Sequence, residues 1–255
     1  MPRCLILGDE VGIPSLIELA HKLDYEIVAF GFSRKMDKSK AIKFRRRLKQ
    51  SFEVSDSKDI ARIIELGLFD LGIIFSFDVI LPSSVLQNET VKFINIHGGK
   101  LPEYRGANVL NWAIIRGESH LGIAIHEVEA SVDSGSIIAQ WQIPINNDDT
   151  ALTMRYKMCE QVELVAPSKI SDYMMGRITP VPQNDRNAVV WRRRQPKDGT
   201  INWDSSDEEI YNLIRALVPP WPGARYYDSN GNLVIIKSKL SLEQIKKIRA
   251  ENTWR

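Results

Sequence analysis

The sequence predicts a Rossmann-like α/β fold, in which a mostly parallel sheet is flanked by helices. Short apolar segments rich in Val, Ile and Phe alternate with longer segments in which apolar residues recur every three or four positions. The first pattern is typical of buried strands and the second of amphipathic helices. Strands that alternate with helices form a parallel sheet, and such a sheet binds its ligands beyond the carboxyl ends of its strands.

The elements follow this alternation along the chain. The first strand leads into a turn at 8–12 that lacks the glycine spacing of a dinucleotide-binding loop. Its acidic pair, Asp9 and Glu10, would repel a pyrophosphate, so we assign the turn to packing between strand and helix. We expect strands at 3–7, 26–32, 71–75, 92–97, 121–128 and 137–145, and helices at 13–23, 60–66, 109–116 and 150–176.

The character of the chain changes after Pro180 and Pro182. A basic, loop-like stretch at 191–199 leads to a predicted helix at 207–217, which a Pro-rich segment ends. Asn230-Gly231 then supplies the turn of a hairpin. We therefore divide the chain into a larger amino-terminal domain and a short α+β module with a helix and a β-hairpin. The predicted ranges are 1–185 and 186–255.

Composition excludes several classes of protein. The chain has 255 residues, 44% hydrophobic and 26% charged, which are ordinary globular values and exclude disordered and fibrous classes. The net charge of +2 does not point to a nucleic-acid partner. No apolar run approaches the ~18 residues of a membrane span, and the first apolar run is too short for a signal peptide. Cys4 and Cys159 give no disulfide framework, so we expect a cytoplasmic protein that does not contact membranes.

Two polar side chains stand at the end of the predicted strand at 92–97. Asn95 and His97 are two residues apart, so they point to the same face of the strand. Gly98 and Gly99 let the backbone turn tightly beside them. A hydrogen-bond donor next to a proton carrier is what acyl chemistry needs, so this segment indicates a catalytic site.

A histidine that acts as a base also needs a carboxylate to hold its tautomer, and that residue is often distant in sequence. Asp133 is our candidate, because it lies in a turn of small residues between two predicted strands, where loops commonly carry function. The residues alone leave a second interpretation equally open. In it, His97 is a core histidine and Asp133 a turn former that caps its own backbone.

Three separated parts of the chain resemble the formyltransferase family that uses N10-formyltetrahydrofolate. Its members include methionyl-tRNA formyltransferase and the sugar-nucleotide N-formyltransferases. The resemblance covers about residues 1–227 and implies the formyltransferase fold, with Asn95, His97 and Asp133 as the catalytic residues. The segments that carry it are 95–107 with 124–138 (AIHEVEASVDSGSII), 75–82 (FSFDVILP) and 199–223 (GTINWDSSDEEIYNLIRALVPPWPG).

The resemblance implies direct attack by an amine on the formyl carbon of the folate, through a tetrahedral intermediate. Asn95 would donate to the developing oxyanion, an interaction worth ~3 kcal/mol in comparable sites. His97 would shuttle protons between the amine and the leaving folate nitrogen. Asp133 would keep His97 oriented and more basic. No metal ion is needed for this chemistry.

The expected ligand contacts fall into two sets. The residues expected to bind N10-formyltetrahydrofolate are Phe75, Ser76, Phe77, Ile80, Leu81, Val128 and Ser131. Those expected to bind the acceptor are Lys100, Tyr104, Arg105, Trp191, Arg192 and Arg193. The remaining histidines lack the spacing of metal ligands, and we interpret them as structural or surface groups: His21, His120 and His126.

The class of the acceptor amine depends on two basic segments. Residues 34–49 include nine Lys or Arg and one Asp, which fits either a solvated helix face or an RNA-binding loop. In methionyl-tRNA formyltransferase a loop in this region enters the acceptor stem. That enzyme also carries a carboxy-terminal β-barrel that helps to bind tRNA, whereas some 30 residues follow Gly223 here.

The second basic segment favours a different acceptor. Trp191 stands beside consecutive arginines at 192–194, and a nucleotide sugar needs an aromatic ring for its base and guanidinium groups for its diphosphate. We therefore predict a sugar-nucleotide N-formyltransferase with no nucleic-acid partner. Its acceptor would be a 4-amino-4,6-dideoxyhexose, or the 3-amino isomer, linked first of all to dTDP and otherwise to GDP or UDP. The product would be made for a surface polysaccharide such as the O-antigen of lipopolysaccharide. The alternative is methionyl-tRNA formyltransferase.

Two further activities and an oligomeric state complete the expectations. A formyltetrahydrofolate deformylase would use the same three residues with water as acceptor, but such enzymes usually carry an additional amino-terminal domain. A binding module without activity would not need the three residues. The apolar strand expected at 233–236 could pair with a second subunit, so we expect a homodimer.

Overall fold

The structure is a computed structural model that describes residues 1–33, 38–48, 52–77, 81–88 and 90–252. The strands of its larger part are β1 (Arg3–Gly8), β2 (Glu26–Phe32), β3 (Phe52–Val54), β4 (Leu71–Phe75), β5 (Lys92–His97), β6 (Arg105–Gly106), β7 (His120–Glu127) and β8 (Ile137–Pro144). The helices are α1 (Gly12–Lys22), α2 (Lys38–Arg47), α3 (Ser57–Glu65), α4 (Ser83–Leu86), α5 (Val109–Ile115) and α6 (Ala151–Met174).

The central sheet has seven strands in the order β3-β2-β1-β4-β5-β7-β8. Strands from β3 to β5 are parallel, whereas β7 and β8 are antiparallel to their neighbours. The predicted fold class is therefore confirmed. The predicted strands appear within two residues of their expected ends. The sequence did not predict β3, β6 and α4, each of which has four residues or fewer.

The turn after β1 holds strand and helix together, as expected. A Cβ atom on Gly8 or Gly12 would lie 2.9 or 2.8 Å from the Phe75 carbonyl oxygen, so β4 approaches closely there. Asp9 accepts hydrogen bonds from the amides of Val11 and Gly12 and pairs with Arg155 of α6. The acidic turn is thus occupied by contacts within the protein.

The two faces of the sheet carry separate apolar clusters, and β5 contributes to both. Ile94 and Ile96 lie in the cluster under α1, α5 and α6, whereas Phe93 lies in the cluster under α3 and α4. Side chains alternate along a strand. Asn95 and His97 therefore share the α3–α4 face with Phe93.

The small module contains β9 (Val190–Trp191), α7 (Asp207–Arg215), β10 (Ala224–Tyr227), β11 (Leu233–Ile236) and α8 (Leu242–Asn252). Its β9 pairs with β6 and so reaches the loop that follows β5. The hairpin β10–β11 forms at the expected place. The domain boundary near 185 and the pairing of β11 with a second subunit stay predictions.

Part of the basic segment at 34–49 lies outside the described residues, at 34–37 and 49. The described part forms α2, and several of its cations form surface ion pairs. Arg45 pairs with Glu53 and Arg47 with Glu18. Within the described residues, no helix is long and apolar enough to cross a membrane.

Buried polar side chains join the module to the larger domain. The Arg215 side chain, 5% exposed, donates from Nη1 to the carbonyl oxygens of Asn146 (3.0 Å) and Asp149 (2.9 Å), ahead of α6. Asn111 of α5 donates to the carbonyl of Ala216 at 2.7 Å. A buried carbonyl that loses its donor costs free energy, so these bonds fix the docking of α7.

We expect Arg215→Met to lower the free energy of unfolding by roughly 1–3 kcal/mol, because it leaves buried carbonyls without a donor. Urea unfolding followed by circular dichroism measures this. The matched control is Arg62→Met on the exposed face of α3, where the change should stay within about 0.5 kcal/mol. Equal effects of the two substitutions would contradict this role of Arg215.

Candidate active site

Four polar side chains meet at the carboxyl end of β5. Asn95 donates from Nδ2 to Asp133 Oδ1 at 3.2 Å, and His97 Nδ1 lies 3.5 Å from Asp133 Oδ2. The fourth side chain is His126, whose Nε2 lies 3.1 Å from Asn95 Nδ2 and 3.5 Å from Asp133 Oδ1. The structure therefore brings the three expected catalytic residues together and adds one histidine that we had interpreted as a structural or surface group.

His126 reaches the cluster through the register of the sheet. In the antiparallel pairing of β5 with β7, Asn95 stands directly opposite His126. Residues directly opposite in a non-local pair of strands are close enough for their side chains to interact. His126 could be noticed in the sequence as a polar residue near the end of an otherwise apolar strand. Its place in the cluster depends on the register between β5 and β7, which no local pattern predicts.

The hydrogen-bond partners fix the proton positions around Asn95. A carboxylate only accepts, so the group that faces Asp133 Oδ1 is the NH₂ of Asn95. His126 Nδ1 lies 2.7 Å from the Glu127 carbonyl and must donate to it, which leaves Nε2 of the neutral ring as an acceptor. Both hydrogens of the Asn95 amide are then engaged. An oxygen that arrives as a new acceptor competes with His126 or Asp133 for one of them.

The backbone, not Asp133, holds the tautomer of His97. His97 Nε2 lies 2.5 Å from the Tyr104 carbonyl oxygen, which only accepts, so Nε2 carries the proton. In the neutral ring Nδ1 is therefore the free base, and it faces the Asp133 carboxylate. Burial lowers the pKa of His97 below its ordinary 6.5, and His126 adds to the effect, while Asp133 opposes it. At neutral pH this imidazole can accept a proton.

Asp133 is held as an ion although it is mostly buried. Its residue adopts a left-handed φ of 50°, and the Gly106 amide donates to Oδ2 at 2.8 Å. Burial raises the pKa of this carboxyl group, but His97, His126 and the Gly106 amide outweigh that effect and bring it to about 2. The interpretation of Asp133 as a turn former that caps its own backbone does not describe these partners.

Arg105 supports the Asp133 loop from inside the protein. Its guanidinium group, 8% exposed, donates to Gln183 Oε1 at 2.9 Å and pairs with Asp185 at 2.8 Å. Gln183 in turn donates from Nε2 to the carbonyls of Asp133 (2.8 Å) and Gly135 (2.7 Å). Arg105 was expected to bind the acceptor. In the structure its guanidinium group instead holds Gln183, which supports the loop of Asp133. The sequence carried no local signal for Gln183.

The other expected acceptor residues form a layer beside the catalytic cluster. The Trp191 ring stacks on Tyr104 at 5.3 Å between centroids, and its Nε1 donates to the Glu103 carbonyl. Lys100 pairs with Glu103 at 2.8 Å. Arg192 forms a bidentate pair with Asp198. Arg193 is exposed.

The residues expected to bind the folate are divided between the core and a part-exposed wall. Phe75 is 1% exposed and lies in the core under α1, α5 and α6, so its ring cannot line a ligand site. Phe77 and Val128 are half-buried against Leu81 and its cluster. Ser76 and Ser131 are exposed, and Ile80 lies outside the described residues.

Phe77, Leu81 and Val128 form an apolar wall. Val128 joins this wall to β5, because its amide donates to the carbonyl of Phe93, two residues before Asn95. Within the described residues, no group of three or more His, Cys, Asp or Glu side chains is arranged to hold a metal ion.

Comparison with known proteins places this chain in a family. Residues 21–169 match the family described as Formyl transferase, and residues 193–250 match its carboxy-terminal domain. The chain belongs to the formyltransferase family. This confirms the resemblance that the sequence shows, and members of the family use N10-formyltetrahydrofolate as the formyl donor.

A curated relative is the bifunctional polymyxin resistance protein ArnA of Wigglesworthia glossinidia brevipalpis, 38% identical over 176 residues. The match covers 68% of this chain but 27% of that protein. The matched part of this chain therefore corresponds to about a quarter of the length of the relative.

Two crystal structures share the fold. They are a 4-N formyltransferase from Francisella tularensis (TM-score 0.76, 20% identity, 94% of this chain and 98% of that chain) and a sugar N-formyltransferase from Shewanella sp. FDAARGOS_354 (TM-score 0.74, 20% identity, again 94% and 98%).

We expect Asp133→Asn to lower the pKa of His97 further, because the substitution removes the carboxylate that favours the imidazolium. NMR titration of the His97 ring in the two proteins measures the shift, with the exposed His21 as internal control. In the wild type the pKa of the ring should lie below 6.5, so activity should be retained at pH 6.5 and fall as the pH drops through the pKa of His97. An unchanged or raised pKa in the variant would contradict the assignment.

We expect Gly99→Ala to reduce kcat about a hundredfold, the usual cost of displacing a catalytic group by about 1 Å. The new Cβ would lie 2.7 Å from His97 Nε2 and 2.6 Å from the Tyr104 carbonyl, and would separate them. Gly98→Ala is the matched control, because its Cβ meets the flexible end of Met158 at 2.8 Å. If the two variants have equal activity, the Nε2 hydrogen bond does not position His97.

Proposed function

We propose that the chain transfers the formyl group of N10-formyltetrahydrofolate to the amino group of a nucleotide-linked aminodideoxy sugar. The observation that carries this proposal is the cluster of Asn95, His97 and Asp133 at the carboxyl end of β5. It supplies a hydrogen-bond donor, a neutral imidazole with a free Nδ1, and an ionised carboxylate within reach of each other. Direct transfer between two bound substrates needs these three groups.

Each residue has a separate role in this proposal. Asn95 donates to the oxygen of the formyl group, where negative charge develops. His97 takes the proton of the attacking amine on Nδ1 and returns it to the leaving nitrogen, while Nε2 stays bound to the Tyr104 carbonyl. Asp133 faces Nδ1 and stabilises the imidazolium form that exists between these steps.

A thiol nucleophile does not fit the site. Cys4 lies at 0% exposure in the central strand β1, and burial raises its pKa to about 12. Cys159 lies in α6, 7% exposed, and burial raises its pKa as well. Neither residue offers a reactive thiolate at neutral pH, which supports direct attack by the amine.

The wall of Phe77, Leu81 and Val128 supports a folate donor. A separate layer of aromatic and cationic side chains supports a nucleotide acceptor. In it, Arg116 lies 5.3 Å from the centre of the Trp191 ring and Arg192 lies 5.7 Å from the centre of the Trp112 ring. Of the nucleotide sugars, we propose dTDP-4-amino-4,6-dideoxyhexose, with the 3-amino isomer next. Methionyl-tRNA is the alternative acceptor.

Formylation assays test this proposal. The protein is incubated with N10-formyltetrahydrofolate and, separately, with dTDP-, UDP- and GDP-linked 3-amino and 4-amino sugars and initiator Met-tRNA, and products are weighed by mass spectrometry. We expect one nucleotide sugar to gain a formyl group and the tRNA to gain none. Formylation of the tRNA alone, or release of formate without an acceptor, would contradict the proposal.

Asn95→Ala and His97→Asn should each lower kcat by about a hundredfold or more in this assay, because each removes a group that acts in the transition state. The control is His21→Asn, an exposed histidine at the end of α1, which should keep wild-type activity. Wild-type activity in His97→Asn would show that the reaction proceeds elsewhere.

A further inference from the structure

A cationic cavity of about 200 Å³ lies where the loop after β6 meets the small module. Its wall includes three arginines, a tryptophan and an asparagine. We call it the arginine cavity and define it by Asn108, Arg193, Arg194, Trp221 and Arg225. Arg193 and Arg194 belong to the basic stretch that the sequence suggested for the diphosphate, whereas Asn108, Trp221 and Arg225 were not among the expected ligand contacts.

The arginines of this cavity have polar atoms without partners. The Nε atoms of Arg194 and Arg225 are buried and make no hydrogen bond within the part of the chain that the structure describes. Arg194 donates from Nη2 to the Asp198 carbonyl at 2.9 Å, but the Asp198 carboxylate is taken by Arg192 at 2.7 and 2.6 Å. A buried donor without an acceptor costs free energy, which an anionic ligand would recover.

Like charges also face each other across the cavity. Among the described residues, no carboxylate lies within ion-pair distance of Arg193, Arg194 or Arg225, although the nearby Arg192 is paired. Burial lowers the pKa of Arg194, and repulsion from Arg192 and Arg225 lowers it further against the attraction of Asp198. The cavity therefore holds uncompensated positive charge, as expected of a site for a polyanion.

The cavity is connected directly to the catalytic cluster. The Gly106 amide binds the Asp133 carboxylate, and Asn108, two residues further on, lines the cavity. Asn108 Oδ1 accepts a hydrogen bond from the Arg194 amide at 3.0 Å, so the loop and the module are fixed to each other. Because two residues of chain span at most about 7 Å, the cavity wall at Asn108 lies within about the length of one hexose unit of Gly106.

We propose that the arginine cavity binds the diphosphate of the nucleotide acceptor, with Trp221 against the base. This rests on the proposed function and names a binding site for its acceptor. Arg225 and Arg194 contact the phosphate oxygens from within the cavity, and Arg193 contacts them from the exposed rim. The sugar then spans the distance to Asn95 and His97. Trp191, which we had expected to stack on the base, is already stacked on Tyr104.

Titration calorimetry without folate tests the cavity independently of catalysis. The wild-type protein is titrated with dTDP, UDP, GDP and inorganic pyrophosphate. We expect dTDP to bind, and Arg225→Gln to raise its Kd at least tenfold, which is the effect of losing one charged hydrogen bond (about 1.4 kcal/mol). The matched control is Arg186→Gln, which removes the same charge from an exposed arginine outside the cavity and should leave Kd within twofold.

A second substitution separates the two halves of the ligand. Trp221→Leu should weaken the binding of dTDP and leave that of pyrophosphate unchanged, because it removes only the stacking surface. Arg193→Gln changes an exposed residue on the rim of the cavity, so it tests the charge without the risk of misfolding that a buried substitution carries. It should weaken the binding of both ligands severalfold. Circular dichroism confirms that each variant is folded.

The outcomes distinguish this proposal from the proposed function. If the wild type binds none of the four probes, or if Arg225→Gln and Arg193→Gln bind dTDP as the wild type does, the cavity is not the diphosphate site. Formylation of a nucleotide sugar with unchanged acceptor KM in these variants would overturn the cavity alone. Binding of dTDP that depends on Arg225, together with formylation of tRNA only, would overturn the proposed function, and the cavity would remain a nucleoside-diphosphate site that does not serve the acceptor.

Discussion

The ionised carboxylate of Asp133 is the interaction on which the active site depends. A buried carboxylate must be compensated by partners, because desolvation alone would neutralise it. Its partners come from three parts of the chain: Asn95 and His97 of β5, His126 of β7, and the Gly106 amide. The same bonds that keep the charge therefore fix the end of β5, the end of β7 and the loop between them relative to one another.

The loop from Gly98 to Gly106 has to satisfy several constraints at once. The Tyr104 carbonyl holds Nε2 of His97, and the Gly106 amide holds Asp133. The turn must be tight enough that even a methyl group on Gly99 would not fit. A loop with these bonds presents Nδ1 of His97 to Asp133 and to an incoming amine. Here a backbone carbonyl holds the histidine tautomer, whereas in a serine protease the carboxylate holds it.

Much of the fold could be predicted from the sequence, because its signals are local. Side chains alternate along β5, so Asn95 and His97 share a face with Phe93, and Ile94 and Ile96 point to the other face. This assignment does not depend on which strands lie next to β5. The contribution of His126 could not be predicted in this way, because it depends on the antiparallel register of β5 with β7. The bond of Arg105 to Gln183 joins residues 78 positions apart, so from the sequence an arginine near the site is easily mistaken for a ligand contact.

The catalytic cluster and the arginine cavity carry opposite charges. The catalytic cluster holds an ionised Asp133 beside a neutral His97, so its charge is negative at neutral pH. The arginine cavity, connected to it through Gly106 and Asn108, holds positive charge without a paired carboxylate among the described residues. In our proposal this gradient orients the acceptor, which carries an ammonium group at one end and a diphosphate at the other, before any specific contact forms.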